Sequence, residues 1–267
     1  MEKRNPRAFD VLGSIAIVNF PEGFKQKDKK KFAEKLMKEQ KQIKTVLEKK
    51  GKIKGRLRKI STMHIAGERT KEVLYRENNC IFRFNVDTTY FSPRLSNERK
   101  EIASMIKRDD IVLVMFAGVA PFSIVIAKNS KAKKVFSNEI NREANKYAKL
   151  NIEINNLEGK VALIPGDIKR IAKRLSEEKI KMDVIVMPRP QLKDTFLKEA
   201  FALSKGGKNG TRIYYYDFCR IGEEDLIVEK IKQEAKNSGR RIKILRMKKA
   251  GEIAPYKIRI RVDFVVI

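Results

Sequence analysis

Residues 109–141 read DDIVLVMFAGVAPFSIVIAKNSKAKKVFSNEIN, and this stretch decides the fold. Its apolar run at 111–115 has the length of a buried strand, and Ala117-Gly118 makes a small-residue turn. A helix opens near Pro121, and a second strand at 134–137 is followed by an acid, Glu139. Strand, tight turn, helix and second strand form the first βαβ unit of a nucleotide-binding sheet. Such a turn lets a ligand approach the backbone, while a carboxylate after the second strand accepts hydrogen bonds from ribose hydroxyls. An adenosine-like ligand is expected. Gly118-Val119-Ala120 lacks the glycine spacing of a dinucleotide fingerprint, and Gly118 alone suits an ordinary strand-helix corner equally well.

The flanking segments extend the pattern. A third strand at 161–165 closes on Gly166-Asp167, and a fourth at 183–187 closes on Met187-Pro188-Arg189-Pro190. Acids after the second and third strands, with a proline-rich turn after the fourth, fit an S-adenosylmethionine-binding sheet better than a dehydrogenase. Helices are expected at 193–204 and 223–238, and a β-rich strand at 211–218. Two last strands, 241–248 and 258–266, pair antiparallel at the sheet edge. The expected fold class is α/β: a class I (Rossmann-like) methyltransferase seven-stranded sheet preceded by a small mixed α/β domain. The expected division is an RNA-binding domain over 1–88 and a methyltransferase domain over 89–267.

In the first part, FDVLGSIAIV at 9–18 suits a buried strand broken by Gly13. The spacing of Phe32, Leu36, Ile43, Val46 and Leu47 predicts one amphipathic helix over 27–49. GKIKGRLRK follows and extends a basic surface, with Lys54, Arg56 and Arg58 the expected RNA contacts; Arg56 and Arg58 share one side of an extended segment. Strands at 69–75 and 81–86 flank Glu77-Asn78-Asn79 as a hairpin.

With 267 residues, 42% of them hydrophobic, the chain can bury a sizeable core. Lys+Arg number 61 against Asp+Glu 33, a net charge of +28, so the expected partner is a polyanion. Cys80 and Cys219 have no metal-ligand spacing, and His64 is the single histidine. A cysteine zinc site, a paired-His metal site and a Ser-His-Asp hydrolase are therefore not expected, and no metal is assigned. No long apolar run or export signal is read, which points to a reducing cytoplasm and no membrane.

The segment YFSPRLSNER at 90–99 is the most specific in the chain. Ser96 or Asn97 is expected to cap a helix carrying Glu98, Arg99 and Glu101 in its first turns. The succession ENNCIFRFNVDTTYFSPRLSNER, VMFAGVAPFSI, EINREANKYAKLNIEINNL and GD resembles the archaeal and eukaryotic tRNA (guanine-37 N1) methyltransferases over nearly the whole chain. That family's small first domain is read as absent. The resemblance implies methyl transfer from S-adenosylmethionine to N1 of the guanine 3′ of the anticodon, on a monomer that binds the anticodon stem-loop of tRNA.

Carried over residue by residue, the resemblance implies Glu98 as general base and Arg58 as the donor to the guanine O6. Tyr90, Arg94, Phe116, Ala117, Gly118, Glu139, Ile140, Asp167, Ile168 and Met187 are implied around the cofactor, Arg94 toward its methionine carboxylate. Pro188 and Arg189 are implied in RNA contact. The chain departs from the family pattern at Val114, Ala120 and Pro188, where an aspartate, a glycine and an asparagine are usual. Two alternatives accompany this reading: a wybutosine-pathway aminocarboxypropyltransferase, and a non-catalytic RNA-binding relative.

Overall fold

The structure is a computed structural model that describes residue 6, residues 9–54 and residues 59–267, with only the backbone described at 52–54 and 59. The expected contacts Arg56 and Arg58 lie outside the described residues, and of Lys54 only the backbone is described.

The elements run β1 (Phe9–Leu12), β2 (Ile15–Val18), α1 (Gln26–Glu39), β3 (Thr45–Lys54), β4 (Lys59–Gly67), β5 (Glu72–Glu77) and β6 (Cys80–Asn85). A 3-10 turn, Pro93–Leu95, leads into α2 (Ser96–Met105), then β7 (Ile111–Met115), α3 (Pro121–Asn129), β8 (Lys134–Asn138), α4 (Arg142–Ile154) and β9 (Val161–Leu163). The chain closes with α5 (Ile168–Glu177), β10 (Val184–Met187), α6 (Leu197–Ala202), β11 (Arg212–Arg220), α7 (Glu224–Asn237), β12 (Ile242–Ala254) and β13 (Lys257–Val266).

The first four strands form one sheet in sequence order, with β2 and β3 parallel across the α1 crossover. Gly13 sits at the β1-β2 turn with φ +56, so the run at 9–18 is a hairpin and not one strand. The helix expected over 27–49 stops at Glu39, and Ile43, Val46 and Leu47 are buried in and before β3 instead. Its helical spacing was the accidental phase of two apolar sets, and the β-branched Thr45 and Val46 prefer the sheet. A Cβ on Gly13 would lie 2.3 Å from the Leu74 carbonyl oxygen. Gly13→Ala is therefore expected to destabilise the protein by more than the roughly 1–2 kcal/mol of a left-handed alanine, seen as a lower urea midpoint.

Hairpin β5-β6 turns through Asn78 and Asn79, both left-handed at φ 47 and 61. Its outer edge is satisfied by helix side chains. Asn155, which caps the C-terminus of α4, accepts from the Ile81 amide at 3.0 Å and donates to the Ile81 carbonyl at 2.7 Å, and Asn151 within α4 accepts from the Arg83 amide at 2.7 Å.

The large sheet has seven strands in the order β12-β13-β11-β10-β7-β8-β9. Strands β9, β8, β7, β10 and β11 are parallel, and β13 and β12 are antiparallel at one edge. This is the expected class I methyltransferase sheet with its reversed edge. Strand order reverses beside β7, the place where doubly wound sheets open a crevice beyond the carboxyl ends of their strands. Both faces are apolar, one packed under α3 and α4 and the other under α5, α6 and α7. Helix α6 is shorter than the expected 193–204, and α2 begins without a side-chain cap because the 3-10 turn feeds directly into it.

Candidate active site

A cleft of about 1010 Å³, counting its open mouth, lies at the carboxyl ends of β7, β8 and β10. Its floor is the turn after β7, where Phe116, Gly118 and Ala120 all take left-handed backbone angles, φ 62, 60 and 66. Gly118 takes its angle freely, but Phe116 and Ala120 are strained by theirs, and such strain gathers at ligand clamps. Ala120 thus adopts the conformation that a glycine takes freely.

Glu139 closes this turn from the end of β8. Its carboxylate accepts from the amides of Gly118 at 2.8 Å, Ile140 at 2.8 Å and Asn141 at 2.7 Å. Asn141 caps α4 and donates to the Thr88 carbonyl at 2.9 Å; Asn138 donates to the carbonyls of Ile164 and Gly166 at 2.8 and 3.1 Å. The acid is therefore fixed in place before any ligand arrives.

Of the residues expected around a cofactor, Tyr90, Phe116, Ala117, Gly118, Glu139, Ile140 and Ile168 line the cleft. Three others sit differently. Asp167 caps α5, accepting from the Lys169 amide at 3.0 Å, between the cleft residues Gly166 and Ile168. Met187 is buried in the core of the sheet. Arg94 is 67% exposed, is paired with Asp10 at 3.0 Å and does not line the cleft, so its expected hold on a methionine carboxylate has no counterpart in this arrangement.

Pro188 and Arg189 both border the cleft, but the Arg189 guanidinium turns into the fold. It donates to the Tyr215 hydroxyl at 3.1 Å and the Leu192 carbonyl at 3.0 Å, and lies 3.3 Å from Asp217. That cation braces the loop after β10, and the expectation of RNA contact does not hold for its charged end.

Glu98 stands behind one wall of the cleft, 6% exposed, in the first turn of α2. Its Oε2 accepts from Arg261 at 2.7 Å and from the Tyr216 hydroxyl at 3.0 Å, and its Oε1 lies 2.9 Å from the Lys248 ammonium. Arg261, fully buried, also donates to Glu101 at 2.7 Å and Asp263 at 2.7 Å. Burial alone would raise the Glu101 carboxyl, yet its bonds to Arg261 and Lys248 hold it down at about 2. For Asp263 burial wins, and its carboxyl is raised despite Arg261. Burial first, then the Glu98 charge, pushes the Tyr216 phenol well above its ordinary value, so that phenol stays protonated as the donor to Glu98.

The neighbouring Arg99 builds the wall itself. It pairs through Nε and Nη2 with the two carboxylate oxygens of Glu77, donates to the Ser92 carbonyl at 2.9 Å, and lies 5.0 Å from the Phe91 ring and 5.7 Å from that of Phe122. Tyr216, Arg99, Asn138, Asn141 and Arg259 all border the cleft and had no expected role in it. Asn138 and Asn141 flank Glu139 in SNEIN and were legible as a polar cluster after a strand. Among the described residues no group of three or more His, Cys, Asp or Glu gathers as a metal site. Nor is any helix among them long and apolar enough to cross a membrane.

Comparison with known proteins bears on this cleft. Residues 73–245 match the family model of the TRM5/TYW2 methyltransferase domain, and residues 1–70 match that of the TYW2 N-terminal domain. The second match overturns the expectation that the family's first domain has no counterpart here. The tRNA (guanine(37)-N(1))-methyltransferase Trm5b of Pyrococcus abyssi is 35% identical over 261 residues, covering 97% of this chain and 74% of the relative. The tRNA (guanine(37)-N(1))/4-demethylwyosine(37)-methyltransferase Taw22 of Nanoarchaeum equitans is 30% identical over 309 residues, 97% of this chain and 100% of the relative.

Among solved structures, P. abyssi Trm5b superposes with a TM-score of 0.84 at 35% identity, over 98% of this chain and 75% of that one. The complex of aTrm5 with tRNALeu gives 0.82 at 27% identity over 98% and 72%. Methanocaldococcus jannaschii Trm5 in complex with adenosine gives 0.78 at 26% identity over 97% and 72%.

Proposed function

Because this chain belongs to the TRM5/TYW2 methyltransferase family, we propose that it transfers a methyl group from S-adenosylmethionine to N1 of guanosine 37 in tRNA. The carrying observation is a cleft whose strand-end acid is already oriented, backed by a second acid behind its wall. The chain is an S-adenosylmethionine-dependent tRNA-modifying transferase.

The residues present fit the cofactor. Glu139, pinned by three amides, sets a carboxylate at the strand end where ribose hydroxyls would lie, and Phe116, Ile140, Ile168 and Pro188 supply apolar surface for a purine. When bound, the cofactor supplies an electrophilic methyl on a sulfonium and departs as the neutral thioether. The chain's own task is to make a guanine N1 nucleophilic, since that nitrogen carries a proton. Glu98 is the proton acceptor in this reading, because a carboxylate placed within reach of a reacting proton speeds its removal by about 10²–10⁴. Lys248, with its side chain 29% exposed, lies 2.9 Å from Oε1 and in this reading gives up that oxygen when the guanine enters, since Glu98 stands behind the cleft wall in this arrangement. Arg261 and Tyr216 keep Oε2 oriented throughout. Arg58 remains the proposed donor to O6, and tRNA the proposed partner.

A second reading is methylation of 4-demethylwyosine at the same position, favoured by the match to Taw22 over the whole length of that relative. Pro188, which has no side-chain donor where an asparagine is usual, also allows a different base edge to face the cleft. Mass spectrometry of nucleosides from two tRNAs, one with guanosine and one with 4-demethylwyosine at position 37, separates the readings. A one-methyl gain on guanosine is expected. Methylation of 4-demethylwyosine only, transfer of an aminocarboxypropyl group, or no transfer to either RNA rejects the proposal.

A further inference from the structure

The stretch KIRIRVD at 257–263 alternates cations with aliphatic residues, and the sheet sorts them onto two faces. Ile258, Ile260 and Val262 join the core beneath α7. Lys257, Arg259 and Arg261 therefore share the opposite face, which carries Glu98 and the cleft. Register pairs Arg261 with Tyr216, Arg259 with Phe218 and Lys257 with Arg220, so a ladder of cations and rings runs outward from the site.

Its exposure rises along the way. Arg261 is fully buried, while Arg259 is 8% exposed in the cleft wall with its guanidinium 5.3 Å from the Phe218 ring. Lys257 is half-buried, Arg220 is exposed, and Tyr256 at the hairpin turn is 80% exposed.

Two features mark this ladder as more than packing. Strand β11 runs past its last partner on β10, from Tyr215 opposite Met187 out to Arg220, a reach of about 17 Å at the usual rise per residue. The face thus stands beside the cleft mouth, beyond the ends of the parallel strands. Tyr256 also holds φ +57, a conformation bulky side chains rarely adopt, while its carbonyl accepts from the Ile221 amide at 3.1 Å. The turn is tied to the end of β11, and its ring is held out into solvent. Of the nearby acids, Glu223 accepts from the Arg220 backbone amide at 3.2 Å, Glu252 is engaged by Lys249 at 2.5 Å, and Glu224 and Asp225 open α7 on the other side of the sheet.

We propose that this overhanging face docks the RNA on either side of the nucleotide inserted into the cleft. Lys257 and Arg220 take phosphates, Arg259 anchors the inner end of the ladder in the cleft wall, and Tyr256 stacks on an unpaired base. Cations tracking a backbone beside an exposed ring are the means by which single-stranded loops are held. The inference rests on the reading of the cleft as a tRNA-modifying site and adds the surface by which that RNA arrives.

The test compares wild type, Tyr256→Ala, Tyr256→Gly and the double variant Arg220→Gln/Lys257→Gln, measuring affinity for a tRNA transcript across salt concentrations and affinity for S-adenosylmethionine. Both Tyr256 variants are expected to bind tRNA about tenfold more weakly with an unchanged salt slope, since one stacked base is lost. The glycine suits the left-handed turn, so a loss shared by both belongs to the ring. The double variant is expected to flatten the slope by about one to two, the number of phosphates released. Cofactor affinity is expected to stay at the wild-type value in all variants. Wild-type affinity and slope in all variants, while the wild-type protein still methylates tRNA, overturn the docking face and leave the proposed reaction standing. Weakened variants of a wild type that binds tRNA without methylating it support the face and reject the reaction; a wild type that binds no tRNA rejects both.

Discussion

Glu98→Gln is expected to slow methyl transfer in a single turnover by about 10²–10⁴, the usual contribution of a positioned base, while S-adenosylmethionine binds as before. The amide keeps the size of the carboxylate and still accepts from Tyr216 and Arg261, so the wall of the cleft stands. What disappears is the capacity to hold the N1 proton. Arg261 keeps Asp263 and Glu101 as partners, and thermal unfolding of the variant close to the wild-type temperature would separate a chemical defect from a structural one. A transfer rate equal to wild type would remove Glu98 from the reaction and leave it as one member of a buried ion cluster.

Arg261→Met should cause the largest loss of stability of any single replacement near the site. One guanidinium serves Glu98, Glu101 and Asp263 at 2.7 Å each, and its loss leaves acids facing one another in the interior. Breaking a buried ionic group by removing one partner typically costs about 3–5 kcal/mol. The pH dependence carries the signature. Burial already raises the Asp263 carboxyl with the arginine present, and without it the folded protein holds protons there that the unfolded chain releases. A group whose folded value lies above its unfolded one stabilises at low pH and loses that contribution as pH rises. The variant should therefore gain stability as pH falls from neutral toward 4, measured by urea unfolding at several pH values. A loss no larger than the roughly 0.5 kcal/mol of a surface substitution would mean that water or Lys248 compensates the acids.

How much of this arrangement was legible depends on the range of the interactions. Strand β7, its turn and Glu139 could be read because a five-residue apolar run, a small-residue turn and a strand-end acid are local signals. The reversed edge of the sheet followed from two closing β-rich segments. Pairings set by tertiary contact could not be read. Glu98 meets Tyr216 across 118 residues and Arg261 across 163, and no periodicity announces either. Arg94 pairs with Asp10, 84 residues distant, and Arg189 is turned inward toward Tyr215 and Asp217. The helix expected over 27–49 failed for a related reason. Its helical spacing came from a helix and a strand in succession, and only sheet pairing of β3 with β2 and β4 decides between them.

The two asparagines at the end of α4, one inside the helix and one capping it, grip hairpin β5-β6 and have a bearing on engineering. Asn151 and Asn155 present amides to Ile81 and Arg83 as an adjoining strand would, so the hairpin travels with the catalytic half although it precedes that half in sequence. The stretch between Gly67 and Glu72 is then the natural seam for a chimaera that grafts a foreign front module onto this catalyst. A splice placed after the hairpin would strip α4 of its adopted neighbour and leave polar groups stranded in the interior.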